Sequence, residues 1–477
     1  MFNNKVKGYS SLISSILIQL LIGNILTFPN LIPYYQSYLY YKNNNTEKIS
    51  ALQLYFIAPV GLFVHNAFPS FTGILDKKVR IRILTLFATL FLFISQLIIY
   101  FCVDYYLLLI SYFFYGLGGS VTYFQTLRNC WQYFPGKKDL ISGIVFSCFG
   151  LSSFAFTSLA DYIINPDNIP KKGNYYSREI SFRFLDYIKV SIFCIIILGS
   201  ISSILSFPFE EEKRINLNND IDDKKEQNIK ENEDENNKEE TKEKLIIKKQ
   251  PTSLKKIILS LEFLKCLLMA GCTLIFGFLL TNTYRNFGIE KKLDENGMHT
   301  LSKVFTLLNT FSRLIWGVIC EKFKFRIPYL IIVINQIVCG SLIYFASENL
   351  ITYFIVVCFG VLSFAGHIIL FPNLIHTKFG VENSVILLGI CGIFGGASSL
   401  IGPLLTTFIN DLEDYLITYL LGAAPSIVSL ILTIIIKIEN VENIDDKLIT
   451  DKIDKDEDNK LFERFSEASE KNEENQN

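Results

Sequence analysis

The 477-residue sequence predicts an all-α membrane protein: twelve transmembrane helices in two six-helix bundles. Three observations carry this. Half of the residues are hydrophobic and only 19% are charged. The charges crowd into 210–256 and 445–477, leaving long apolar runs elsewhere. Twelve of those runs reach the roughly 20 residues that a helix needs to cross a hydrocarbon core.

The runs are centred on 9–33, 51–72, 82–102, 105–127, 140–163 and 185–207 in the first half of the chain. In the second half they fall at 257–281, 299–319, 327–347, 350–372, 384–408 and 414–437. Gly and Pro interrupt several of them, as membrane helices tolerate. Their apolar residues are continuous rather than alternating, which excludes a transmembrane β-barrel. The first run is long, holds Asn24 and Asn30, and lacks a small-residue cleavage site, so it is expected to remain as the first span. Asn44, Asn45 and Thr46 form a glycosylation sequon in the loop that follows.

Between the halves, residues 209–256 are rich in Glu, Lys, Asn and Asp. They hold too little apolar surface to offset the entropy of ordering, so a disordered charged cytoplasmic linker is expected there. This divides the chain into an N-terminal bundle over 1–208 and a C-terminal bundle over 257–438. An acidic disordered cytoplasmic tail is expected over 439–477.

Orientation follows from the short turns. Those after the second and eighth runs carry Lys77, Lys78, Arg80, Arg82 and Lys322, Lys324, Arg326; the turn after the fourth carries Arg128, Lys137 and Lys138. The turns after the third, ninth and eleventh carry neither Lys nor Arg. The positive-inside rule therefore puts the basic turns, both termini and the linker in the cytoplasm. Lys171, Lys172, Arg178 and Arg183, after the fifth run, are a basic exception outside.

The 45 Lys and Arg nearly cancel the 46 Asp and Glu, for a net charge of -1. A nucleic-acid binder needs a net basic surface and is excluded. No nucleophile–base pair, dinucleotide or Walker-type glycine loop is legible, so neither an enzyme nor a bound cofactor is expected. The ten cysteines sit in or beside apolar runs without metal-ligand spacing and read as small buried hydrophobes; no metal site is expected.

Each half repeats one feature after its second span: Gly73, Asp76, Lys77, Lys78, Arg80 and Arg82 in the first, Gly317, Glu321, Lys322, Lys324 and Arg326 in the second. Internal repetition is common among transporters, whose substrate site lies between the repeats near the midplane. The acid followed by a basic turn resembles the loop signature of the major facilitator superfamily, with Val79 and Lys324 near the place of its usual glycine. The run Tyr133 to Gly143 (YFPGKKDLISG) resembles the pattern between the fourth and fifth helices of monocarboxylate porters. Thr27, Phe28, Pro29 and Asn30 in the first span and Asn309 to Arg313 (NTFSR) in the eighth resemble the same branch and the related oxalate–formate antiporters.

The resemblance implies alternating access around a central cavity. It implies transport of a small organic anion, foremost a monocarboxylate such as lactate, pyruvate or formate, by symport, antiport or facilitated passage. An amino-acid or other small-metabolite carrier on the same fold is the alternative, ahead of a non-transporting sensor or scaffold. Arg313 lies eight residues before Glu321, so about 12 Å into the membrane at ~1.5 Å per residue. A guanidinium there requires a wet cavity or a partner, and its planar fork suits a carboxylate. The resemblance makes it the residue that binds the substrate carboxylate, with Asn309 and Asn30 beside it.

Those two amides depart from the family. Asn309 stands where monocarboxylate porters have a proton-exchanging Asp, and Asn30 where they have a Lys, so neither position titrates. In the eleventh span Phe394, Gly395 and Gly396 replace the Ala-Lys-Gly of the oxalate antiporters, which argues against a dicarboxylate. His65 and His367 are the candidates for a relocated proton step, since imidazole titrates near neutral pH. His299 and His376 lie near span ends and are expected to be solvated. The resemblance assigns Asp76 and Glu321 to gating. Gly389, Gly392, Gly395, Gly396 and Pro403 are expected to let the eleventh helix pack closely. Expected partners are the organic anion and membrane lipid. Accessory membrane proteins occur among monocarboxylate porters, and the sequence specifies none. The plasma membrane is the default location, an organelle membrane the alternative.

Overall fold

The computed structural model describes residues 4–46, 53–54, 56–76, 78–101, 104–134, 136–167, 169–171, 173, 175–209, 254–406 and 412–436. Most of the expected linker and all of the expected tail lie outside the described residues. Leu254–Ile258, the last stretch before the second bundle, is a short helix that includes three residues of the expected linker.

The first span is longer than its apolar run and is not one regular helix. It comprises α1 (Asn4–Ile22), a 3₁₀ segment (Gly23–Thr27) and α2 (Phe28–Lys42). Pro29 explains the change of pitch, because it has no N–H to give to Ile25 and its ring crowds that carbonyl. A glycine is needed at 23, where a Cβ would collide with the carbonyl of Phe149. The second span departs most from expectation. It is split into α3 (Ile57–Ala67) and α4 (Pro69–Asp76), with Pro69 at the joint. The Phe68 N–H still reaches the Val64 carbonyl at 3.1 Å, and the Thr72 N–H reaches the Phe68 carbonyl at 3.0 Å, so the two pieces form one bent rod.

The remaining elements are α5 (Ile81–Phe101), α6 (Tyr105–Tyr133), α7 (Lys138–Ile164), α8 (Arg178–Leu205), α9 (Leu254–Ile258), α10 (Leu261–Glu290), α11 (Glu295–Phe323), α12 (Arg326–Ala346), α13 (Leu350–Phe379), α14 (Val381–Thr406) and α15 (Leu412–Ile435). Eleven helices among the described residues are long and apolar enough to cross a membrane, and α3 is a shorter apolar one. Their starts are chemically marked. Asp104, Ser177, Ser260, Asp294 and Asn349 each cap a helix by accepting a backbone N–H, satisfying donors that the first turn leaves unpaired. Nine described cysteines are free.

Within the first half, serines join α1 to α8: the Ser14 hydroxyl donates to the Ser202 carbonyl at 2.6 Å and lies 2.7 Å from the Ser206 hydroxyl. The second half is tied through its interior by Thr273, which lies 2.9 Å from both Tyr329 and Ser429 hydroxyls. Small hydroxyls of this kind allow close helix approach while keeping polar atoms paired.

Two seams join the halves: α7 against α11, and α3 with α4 against α14. Glycines set both. A Cβ at Gly143 would lie 3.1 Å from the Arg313 carbonyl, and one at Gly317 would lie 2.9 Å from that of Asp139. In the second seam, Cβ atoms at Gly389 and Gly392 would strike the backbones of Ser70 and Asn66, and one at Gly396 would sit 3.0 Å from Phe63 Cα. The close packing expected of the eleventh span is therefore packing against the opposite half at Gly389, Gly392 and Gly396, whereas a Cβ at Gly395 would meet Leu274 of its own half at 2.7 Å.

Candidate functional site

Helix α11 is held antiparallel to α7 by a register that sets Gly317 opposite Gly143 and Thr310 opposite Gly150. This register puts Arg313 inside the seam. Its side chain is 1% exposed and is among the largest fully buried side chains of the described residues. Nη1 donates to the Phe146 carbonyl of the other half at 2.7 Å, and Nη2 lies 3.5 Å from Asn309 Oδ1 on its own helix. Nε has no partner, and no carboxylate forms an ion pair with the guanidinium among the described residues. Gly150 lets α11 approach here: a Cβ there would sit 3.0 Å from Thr310 Oγ1 and 3.3 Å from Thr310 Cα.

Rings surround this charge. Arg313 Cζ lies 5.6 Å from the centre of Phe149, within cation–π range. Tyr123 packs 4.8 Å from Phe146 and 5.5 Å from Phe149. His65, on α3, completes the group at 4.5 Å from Tyr123 and 5.6 Å from Phe149. It is 3% exposed, and its Nε2 has no partner among the described residues. A Cβ at residue 119 would collide with this imidazole, so Gly119 is what lets it enter.

Of the predicted site residues, the structure thus brings together Arg313, Asn309 and His65. Asn30 is placed elsewhere. It is exposed, and its Nδ2 donates to Thr157 Oγ1 at 3.2 Å, two helical turns along α7 from Phe149. By the α7–α11 register the nearest α11 position to Thr157 is Lys303, an exposed cation absent from the residues that the sequence nominates. Asp161, one turn further along α7, lies within electrostatic reach of it. His367 belongs to the interior of the second half, where Nδ1 lies 3.0 Å from the Tyr329 hydroxyl and the ring stacks on Phe371.

The basic-turn end of the molecule is closed across the halves. The Trp131 indole N–H donates to the Ser142 hydroxyl at 3.0 Å, which lies 3.4 Å from Asn373 Oδ1 on α13. The Trp131 ring meets His376 edge-on at 4.8 Å. The expectation that His376 is solvated is therefore wrong: it is 2% exposed, because α13 continues past the apolar run and packs its last turn against α6. Glu321 is exposed and has no ion pair with a described residue, whereas Asp76 ends α4 with its side chain outside the described set. The His299 side chain is likewise outside it. Toward the opposite end Asn30, Asp161 and Lys303 are all exposed, while the α3–α14 seam stays packed, with the Ser399 hydroxyl donating to the Pro59 carbonyl at 3.5 Å.

This arrangement of helices is matched by solved structures. The proton:xylose symporter XylE, bound to 6-bromo-6-deoxy-D-glucose, aligns with a TM-score of 0.60 and 12% identity, covering 90% of this chain and 95% of that one. A bacterial homologue of the iron transporter ferroportin, outward-facing with soaked iron, aligns with a TM-score of 0.61 and 9% identity over 90% of this chain and 98% of that one. The chain has the major facilitator fold. The Major Facilitator Superfamily model itself matches residues 189–403. No curated protein matches the sequence. At these identities the likeness concerns the facilitator fold, and the sugar and iron in those titles belong to those proteins.

Three parts of this candidate site are not among the residues that the sequence nominates. Phe149 and Tyr123 lie in apolar runs where one ring resembles the next. Lys303 sits in an apolar run as an isolated cation, which is the signal that could have found it. The Trp131–His376 contact joins residues 245 positions apart, and only the YFPGKKDLISG segment beside Trp131 hints at it.

Proposed function

We propose that this protein is a membrane transporter that carries a small organic anion, a monocarboxylate, by alternating access between its two bundles. The observation that carries the reading is Arg313, a guanidinium buried in the seam between the halves with a backbone carbonyl but no carboxylate partner among the described residues. A buried charge without a counter-ion is costly, and an arriving carboxylate would supply the missing one. The aromatic rings of Tyr123, Phe146 and Phe149 provide an apolar wall for the rest of a small acid. With the basic turns in the cytoplasm, the conformation described is closed inside.

A fixed charge of this kind serves binding; coupling needs a group that titrates. Asn309 and Asn30 do not, and His367 is engaged with Tyr329, which leaves His65 as the candidate for any proton step. Inner closure falls to the glycine seams and to the Trp131, Ser142, Asn373 and His376 contacts, with Asp76 and Glu321 as family-derived auxiliaries. An amino acid is the second reading, favoured by the neutral Asn309 and Asn30, the latter an amide where monocarboxylate porters have a Lys that would repel a zwitterion's ammonium.

Uptake into proteoliposomes of labelled lactate, pyruvate, formate, oxalate and neutral amino acids tests both. Saturable monocarboxylate flux that Arg313→Ala abolishes is the expected result. Flux untouched by that substitution overturns the assignment, and selective amino-acid flux promotes the second reading.

A further inference from the structure

Two buried nitrogens in this molecule lack partners within a single ring cluster: Nε of Arg313 and Nε2 of His65. They belong to opposite sides of the Phe149 neighbourhood, one on α11 of the second half and one on α3 of the first. Native proteins pair nearly all buried polar atoms, and those left over call for an explanation such as a ligand or water. Packing alone accounts for the His65 ring, which lies against Tyr123 and Phe149. It does not account for a ring with a nitrogen, since phenylalanine would fill the same place without stranding Nε2. Phe149 touches both groups, at 5.6 Å from the Arg313 guanidinium carbon and 5.6 Å from the imidazole centre. Phe149 is thus the ring shared by the two groups, and an acid that displaces it on reaching Arg313 also meets His65.

We propose that His65 is the second pole of the Arg313 site, a specificity-determining residue that hydrogen-bonds a second polar group of the bound carboxylate. This rests on the reading of Arg313 as the carboxylate anchor. A site built to hydrogen-bond a substrate group rejects the analogue lacking it, because the protein's own polar atom is then left buried and unpaired. The transported acid is therefore one that carries a hydroxyl, oxo or amino group besides its carboxylate, in preference to an unsubstituted alkyl acid of equal size. Neutral imidazole offers Nε2 as donor or acceptor according to tautomer, so any of the three groups can be met.

The test compares matched pairs, lactate against propionate and glycolate against acetate, as initial uptake rates of the full-length protein in proteoliposomes. Wild type is expected to favour the substituted acid of each pair by about tenfold or more. His65→Phe keeps the ring stack but removes the nitrogens, and should bring the lactate rate down toward that of propionate. His65→Gln places an amide near the Nε2 position and should restore part of the preference. Wild-type rates equal within each pair overturn the proposal even if His65→Phe fails to fold, and so does a preference that survives in His65→Phe. Loss of preference in His65→Phe without any recovery in His65→Gln also counts against it, pointing to altered packing. If wild type moves no member of either pair, the Arg313 reading itself fails and this one with it.

Discussion

Arg313 donates from Nη1 to the backbone carbonyl of Phe146 at 2.7 Å, so the only charge buried in the seam among the described residues is tied to the opposite half by a neutral acceptor. A guanidinium so placed forgoes hydration without gaining an ion pair. Replacing buried charges by apolar side chains of similar volume is often neutral or stabilising by about 1–4 kcal/mol. Arg313→Met is expected to melt in detergent at or above the wild-type temperature while losing saturable uptake. A parallel loss of melting temperature and uptake would make Arg313 a structural residue.

Gly143 and Gly317 pack backbone to backbone where α7 crosses α11. A larger residue overpacks this seam only in the conformation closed at the basic-turn end, at a cost of about 1–3 kcal/mol, which shifts a two-state equilibrium by roughly 5–150-fold. Gly143→Val should therefore favour the state open at that end. The readout is a single cysteine at Asn373, 5% exposed here, in a background with the native cysteines removed. An impermeant thiol reagent added from the basic-turn side should label it faster in Gly143→Val than in the parent; equal rates would mean that the seam does not set the equilibrium.

What the sequence discloses is uneven, for a physical reason. Span number follows from hydropathy because lipid imposes it on every residue of a helix, and the six-plus-six division follows from the charged stretch between the bundles. Boundaries are less legible: α11 runs from Glu295 to Phe323, beyond both edges of its apolar run, because helices continue outside the hydrocarbon until a cap such as Asp294. The break at Pro69 is visible as a proline, but its consequence depends on packing against α14. Arg313 and Asn309, four residues apart on one helix, are legible as a pair. Asn30 is not separable from them in sequence, since only the tertiary register of α7 shows it beside Thr157 instead.

Trp131 meets the other half at the basic-turn end through its ring edge on His376, while its indole N–H is held within its own bundle by the Ser142 hydroxyl at 3.0 Å and the Lys138 carbonyl at 3.2 Å. Trp131→Leu removes the aromatic edge. The expected cost to the closed state is about 1 kcal/mol, the worth of an edge-on aromatic pair. Labelling at position 373 should rise several-fold, less than for Gly143→Val. An unchanged rate would confine the role of Trp131 to the fold of its own bundle.

Lys303 and Asp161 stand exposed toward the end opposite the basic turns, on α11 and α7 respectively, within electrostatic reach of each other. Charges at a cavity mouth alter the local concentration of a charged substrate and its rate of arrival, and salt screens the effect over about 8 Å at physiological ionic strength. For an anion, Lys303→Gln should raise KM about threefold or more at low salt and leave kcat largely alone. Asp161→Asn should act in the opposite direction by removing a repulsive charge, and both effects should shrink as salt is added. A neutral or zwitterionic substrate would feel neither change to this extent. The pair of variants measured at two salt concentrations thus reports the sign of the substrate's charge, whichever compound it turns out to be. Opposite shifts of KM that vanish in high salt would support an anion, whereas a higher KM for Asp161→Asn would point to a cation and count against the role proposed for Arg313.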